Sequence, residues 1–127
     1  PLNITALIKN IHTQYDVILI DCLTLWLSNL MTRGQNTEDR RQTIETELEN
    51  FLDTIKVLKF FSVCNLSSDF CSLFIVSNEV GMGIVPDNEL SRRFRDIAGY
   101  LNQKVAGIAN EVYSVTAGIP LKIKQEA

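Results

Sequence analysis

Apolar residues return along this chain with two different periods, and those periods divide it into elements. Ile4, Leu7, Ile8 and Ile11 recur at helical spacing and predict an amphipathic helix over residues 2–12. Gln14-Tyr15-Asp16 then leads into Val17-Ile18-Leu19-Ile20, an unbroken run rich in β-branched residues. A strand without polar alternation is expected to be buried on both faces, as in a parallel sheet covered by helices. Leu23–Met31 is apolar nearly all round and predicts a short buried helix whose Trp26 fills the core. After the loop signal Gly34-Gln35-Asn36, Thr37 is placed to cap a long helix, with Glu38 and Asp39 in its first turn. Ile44, Leu48, Phe51, Leu52, Ile55 and Leu58 form the apolar stripe of that helix.

The stretch Ser62–Ser72 is polar and irregular and predicts a loop. Leu73–Val76 is a second buried strand, running into Ser77-Asn78-Glu79-Val80-Gly81-Met82-Gly83. Pro86 and Asp87 announce another helix, with a core face of Leu90, Phe94, Ile97, Leu101, Val105 and Ile108. Glu111–Val115 is a third strand, and Leu121–Ile123, after Ala117-Gly118-Ile119-Pro120, a fourth. The link between these two is too short for a crossover helix, so they should pair antiparallel at one edge of the sheet. Strands alternating with helices predict an α/β fold with a mostly parallel sheet flanked by helices. No internal boundary divides residues 1–127, which read as a single domain.

Composition narrows the class. The 127 residues are 46% hydrophobic and 21% charged, which excludes a disordered or fibrous chain. Twelve basic residues against 15 acidic ones leave a net charge of −3, so no basic footprint for nucleic acid is present. The longest apolar runs fall far short of the ~20 residues a bilayer requires, so no membrane span is expected. Cys22, Cys64 and Cys71 are too few for a secreted disulfide framework, and with a single histidine and no CxxC they suggest no zinc site. Buried or incidental thiols in a reducing, cytoplasmic compartment are the expectation.

In open α/β sheets ligands bind beyond the carboxyl ends of the strands, which directs attention to Asp21 and to Ser77, Asn78 and Glu79. Four apolar residues followed by Asp is the second acidic signature of P-loop nucleotide-hydrolysing folds, where the carboxylate serves Mg²⁺. The same Asp can also simply cap the next element. An acid and an amide at Asn78-Glu79 can bind a metal, a ribose or a base edge. Gly81 and Gly83 can let a ligand approach the backbone, or can serve an ordinary turn where φ is positive. Arg92, Arg93 and Arg95 crowd the start of the last long helix. They form either a solvated face with local ion pairs or, with Arg95 the best placed, a group that reaches a phosphate or supplies a guanidinium to a neighbouring subunit's site. His12, on the edge of an apolar face, reads as structural. None of the glycines (34, 81, 83, 99, 107, 118) is followed by Lys, so the GxxxxGK[ST] phosphate cradle is absent from these residues.

Val17-Ile18-Leu19-Ile20-Asp21-Cys22-Leu23-Thr24-Leu25-Trp26-Leu27-Ser28-Asn29-Leu30 resembles the second-acid segment of the adenosylcobinamide kinase / adenosylcobinamide-phosphate guanylyltransferase family. Val76–Pro86, Arg93-Phe94-Arg95-Asp96-Ile97-Ala98-Gly99, Asn102-Gln103 and Ala117–Lys122 continue the resemblance to the end of the chain. It implies a RecA-like P-loop NTPase fold and a bifunctional, oligomeric enzyme of cobalamin biosynthesis. Such an enzyme phosphorylates adenosylcobinamide with ATP or GTP and transfers GMP from GTP onto the phosphate through a guanylylated histidine. By the same resemblance Asp21 is the Mg²⁺-associated catalytic carboxylate and Glu79 a second catalytic residue. Asn78, Gly81, Gly83 and Arg95 then line the nucleotide. A full member opens with a strand, a GxxxxGKS-type loop and the histidine segment. The resemblance therefore implies that this chain, beginning at Pro1-Leu2-Asn3, is the C-terminal part without those elements and is inactive alone. Loss of a central strand should leave apolar surface exposed and favour association. His12 does not match the guanylylated histidine. Two other readings stay open: a non-catalytic nucleotide-binding or assembly module with a P-loop-like fold, and an unrelated P-loop enzyme.

Overall fold

A computed structural model describes residues 3–32, 37–63 and 71–126. Helix α1 (Ile4–Ile11) starts where the Asn3 side chain accepts a hydrogen bond from the Ala6 amide at 2.9 Å, satisfying one of the donors a helix leaves unpaired at its N-terminus. It ends at His12, whose ring Nδ1 lies 2.9 Å from the Lys9 carbonyl and 3.2 Å from that of Ile8. The histidine is a helix cap, as its position on the edge of an apolar face suggested.

Strand β1 (Val17–Ile20) runs into α2 (Leu23–Thr32), and α3 follows at Thr37–Val63. Strand β2 (Ser72–Ile75), α4 (Glu89–Ile108), β3 (Glu111–Thr116) and β4 (Ile119–Gln125) complete the order. Ser62 and Val63 are therefore the last residues of a helix, and Ser72 the first of a strand, rather than the ends of a loop. Helix α3 thus runs past the point where polar composition suggested a stop. Gly34-Gln35-Asn36, and Cys64 with the rest of 64–70, lie outside the described residues. Helix α4 starts as Pro86 and Asp87 predict, with Asn88 accepting from the Ser91 amide at 2.7 Å.

The core is a helix-packed cluster. Ile4 and Ile8 of α1, Leu23, Trp26, Leu27 and Met31 of α2, the predicted stripe of α3, and Ala98 and Leu101 of α4 enclose one another. Trp26 and Phe51 pack at 5.1 Å between ring centroids, tilted by 52°. Three apolar positions depart from expectation. Leu7 of α1 is exposed, Leu25 faces solvent, so α2 is buried on one side only, and Leu90, in the first turn of α4, is exposed as well.

Strands β1 and β2 pair in parallel, Val17 opposite Ser72 through Ile20 opposite Ile75. The helices cover one face of this pair, where Ile18 is 9% exposed, while Leu19, on the opposite face, is 64% exposed. Val17 and Phe74 share that open face. The prediction of burial on both faces is thus corrected: the run is apolar throughout, but successive residues of a strand point to opposite sides and only one side meets helices. Strands β3 and β4 pair antiparallel, Thr116 opposite Ile119. Their two-residue turn, Ala117 (φ 52°) and Gly118 (φ 77°), has both residues at positive φ, as in the primed turn that suits a two-residue hairpin loop. Strand β4 begins before the predicted Leu121 and carries Pro120 opposite Val115.

Among the described residues β3–β4 forms its own two-stranded sheet and is not an edge of β1–β2. The hairpin is instead tied to helices by side chains. Lys124 donates to the carbonyls of Ala106, Gly107 and Ala109 at the end of α4, and Lys59 of α3 meets Glu126 at 2.6 Å. Val115, Ile119, Leu121 and Ile123 are exposed on it, so both strand pairs carry open apolar surface. No helix among the described residues is long and apolar enough to cross a membrane.

Candidate functional site

The parallel ladder brings the candidate residues to one end of the sheet. The Val76 amide donates to the Ile20 carbonyl at 2.9 Å and the Leu23 amide to the Val76 carbonyl at 2.9 Å. The first bond continues the ladder beyond Ile20 and Ile75, and the second stitches the start of α2 to the end of β2. Asp21, directly after β1, therefore stands beside the segment Val76-Ser77-Asn78 directly after β2. Asp21, Asn78 and Glu79 are all exposed. Their side chains make no hydrogen bond or ion pair among the described residues. The Asp21–Cys22 peptide is cis.

Four polar groups fasten the loop after β2. The Asn78 amide donates to Thr24 Oγ1 at 2.8 Å, and Thr24 Oγ1 lies 3.5 Å from Ser77 Oγ. Ser77 Oγ donates to Asn102 Oδ1 at 2.6 Å, and Asn102 Nδ2 donates to the Asn78 carbonyl at 3.2 Å. Helices α2 and α4 thus hold the backbone of residue 78 from both sides and leave its side chain free. Of these residues the sequence argument singled out Asn78 and Ser77, but gave no role to Thr24 or Asn102. Asn102 carried one signal: an amide beside the fully buried Leu101, one helical turn from the buried Ala98.

Gly81 and Gly83 lie in the exposed turn that follows, and neither has a positive φ. A Cβ on Gly81 would stand 3.4 Å from Glu79 Oε1, an ordinary contact, and a Cβ on Gly83 would meet nothing within 4 Å. Their backbone conformation does not demand glycine, so the positive-φ reading of this turn is corrected. What glycine supplies is an uncovered backbone.

The arginines separate. Arg92 turns back to the carbonyls of Pro86 and Asp87, at 3.1 and 2.6 Å, and is a structural brace. Arg95 is half-buried and its guanidinium is 3.7 Å from the carboxylate of its neighbour Asp96, a loose local pair. Arg93 and Asp96 border a groove of about 400 Å³ between α3 and α4, floored by Leu48, Leu52 and Ile97. That groove contains none of the strand-end residues. Among the described residues no three metal-binding side chains cluster. Cys22 and Cys71 are free and partly buried, and burial pushes the Cys71 thiol up, opposite to the shift a nucleophile needs.

Comparison with known families matches residues 1–123 to the family described as cobinamide kinase / cobinamide phosphate guanyltransferase. This chain belongs to that family. Among curated relatives, the bifunctional adenosylcobalamin biosynthesis protein CobU of Salmonella typhimurium is 41% identical over 110 residues, 86% of this chain and 59% of the relative. The protein of the same name from Escherichia coli is 37% identical over 109 residues, again 86% of this chain and 59% of the relative. The bifunctional adenosylcobalamin biosynthesis protein CobP of Pseudomonas aeruginosa is 35% identical over 126 residues, 99% of this chain and 64% of the relative. The chain thus spans about three fifths of the length of the curated relatives it matches. The mixed α/β architecture with its parallel strand pair is consistent with membership of that family.

Proposed function

We propose that this chain supplies part of the nucleotide site of an enzyme that phosphorylates adenosylcobinamide with ATP or GTP and then transfers GMP from GTP to adenosylcobinamide phosphate. One observation carries the reading: Asp21 and Asn78-Glu79 stand side by side at the carboxyl ends of two paired parallel strands, their side chains without partners among the described residues, in a member of this family.

Mg²⁺ usually keeps several waters and takes only one or two carboxylates, the substrate's phosphates supplying the rest. A single exposed and unpaired Asp21 fits that mode, and no larger acidic cluster is needed. Asp21 would hold the ion directly or through its waters, and the ion when bound neutralises phosphate charge. Asn78 offers a donor and an acceptor to a base or ribose edge, and the Glu79 carboxylate can accept a proton from an attacking hydroxyl at Oε1. Gly81 and Gly83 allow phosphate or sugar to approach the main chain. Arg95, released from its loose pair with Asp96, reaches a phosphate, in its own subunit or in a neighbouring copy of a homo-oligomer.

Phosphorylation of adenosylcobinamide by the complete encoded protein tests this reading, with Asp21→Asn as the variant. The expected loss in Mg²⁺-dependent rate is about 100-fold or more, the scale on which a preorganised electrostatic group acts. A full rate in Asp21→Asn would overturn it. Calorimetry of the 127-residue chain with GTP and Mg²⁺ should show millimolar affinity at best, because the GxxxxGK[ST] donors are not among its residues.

A further inference from the structure

The contacts around residue 78 close into a ring. The Asn78 N–H donates to Thr24 Oγ1, and Ser77 O–H donates to Asn102 Oδ1. Asn102 Nδ2 donates back to the Asn78 carbonyl. With the Ser77 proton committed, the remaining contact, Thr24 O–H toward Ser77 Oγ at 3.5 Å, has only one direction. Each hydroxyl then donates once and accepts once, and the Asn102 amide is orientated by chemistry. Its flipped form would set Oδ1 against the Asn78 carbonyl, two acceptors facing each other. Rings of this kind strengthen cooperatively. The three side chains come from three places in the chain: the first turn of α2, the loop after β2 and the middle of α4.

We propose that Thr24, Ser77 and above all Asn102 are positioning residues that hold the 77–79 loop by its main chain and so aim the side chains of Asn78 and Glu79 at the nucleotide. The proposal rests on the nucleotide-site reading given above. None of the three needs to touch substrate. Main-chain anchoring is what the task requires, because hydrogen bonds to the Asn78 side chain would consume the groups it offers a ligand. Asn102 also joins this loop to the helix that carries Arg95. The two residues are seven apart on α4, about 10 Å along its axis, so a shift of α4 displaces both together.

Two measurements test the proposal separately from the reading on which it rests. The first is hydrogen exchange at the Asn78 amide of the 127-residue chain, which needs no activity. Thr24→Val removes the acceptor and is expected to speed exchange at least 10-fold, while Thr24→Ser retains protection. Asn102→Asp replaces the Nδ2 donor with an oxygen facing a carbonyl and should also speed it. Unchanged exchange in Thr24→Val and Asn102→Asp overturns the proposal. The second is nucleotide kinetics of the complete encoded protein. Asn102→Asp and Thr24→Val should raise the nucleotide KM about 10-fold, with Thr24→Ser near the parent value. A fall in kcat with KM unchanged would mean a purely structural role and would also overturn it. Should the parent protein show no nucleotide-dependent activity, the function proposal fails while the exchange data still decide the anchoring.

Discussion

Lys124 on β4 is the sharpest point at which to test how this fold is held together. Its ammonium donates to the carbonyls of Ala106 and Gly107 at 2.9 Å and of Ala109 at 2.7 Å, and lies 3.3 Å from Glu126. A helix leaves its last carbonyls without partners, and α4 has no basic residue in its own last turn. The cation that meets the negative helix end therefore arrives from a strand in the separate hairpin. A hydrogen bond to a charged group contributes a net ~1.5–3 kcal/mol. The three bonds do not add, because one ammonium gives up its hydration once and the side chain keeps 30% of its exposure. We therefore expect Lys124→Met, which retains the packing of the stem, to cost about 2 kcal/mol, allowing water to reach part of the freed carbonyls. That is about a 30-fold change in the folding constant, or a fall in Tm of about 7 °C for a chain of this size. Lys124→Arg should fall between the two, since a planar fork cannot converge on three carbonyls as a tetrahedral ammonium does. Urea unfolding followed by far-UV circular dichroism reads this directly, with the midpoint moving and the slope unchanged. A Lys124→Met midpoint within about 0.5 kcal/mol of the parent would refute the reasoning, since that is the size of a neutral surface change.

Phe51→Ala opens the fully buried centre of the core beside Trp26 and should cost about 3–5 kcal/mol, with the emission of the lone Trp26 moving to the red; a cost below 1 kcal/mol would mean that the core is not packed as described. Ala117→Asn places a residue tolerant of positive φ at the first turn position, where φ is 52°, and should stabilise the hairpin by about 0.5–1 kcal/mol, read as a raised Tm. Lys59 and then Lys124 hold the Glu126 carboxyl below its ordinary value of 4.5. A depressed folded pKa gives stability that is full above that ordinary value and is lost as pH falls through the folded one. Glu126→Gln should therefore be less stable than the parent at neutral pH and converge with it in acid, and parallel stability curves across that range would contradict the assignment.

The positions of the candidate site residues were legible in the sequence because two local rules coincide there. An apolar run marks a buried strand, and a ligand site lies past the carboxyl end of such a strand, so Asp21 and Asn78-Glu79 could be named without coordinates. The α3 stripe from Ile44 to Leu58 was legible for the same reason, since helical period is a property of a single segment. The anchoring ring was not. Asn102 is 24 residues from Asn78, and an amide on the margin of an apolar face looks the same whether it meets water or a neighbouring main chain.

Sequence by itself determined the elements, their order, the family they resemble and the pairing sense of the last two strands, because each follows from a local period or from the length of a link. Tertiary structure decided which face of β1–β2 is covered, since an apolar run specifies that both faces can be buried but not what is there to cover them. It also set the hairpin apart from the parallel pair and fastened it through Lys124 and Glu126 to the ends of α4 and α3. That choice depends on where a single ammonium finds three carbonyls at once, a coincidence in space that no spacing along the chain encodes.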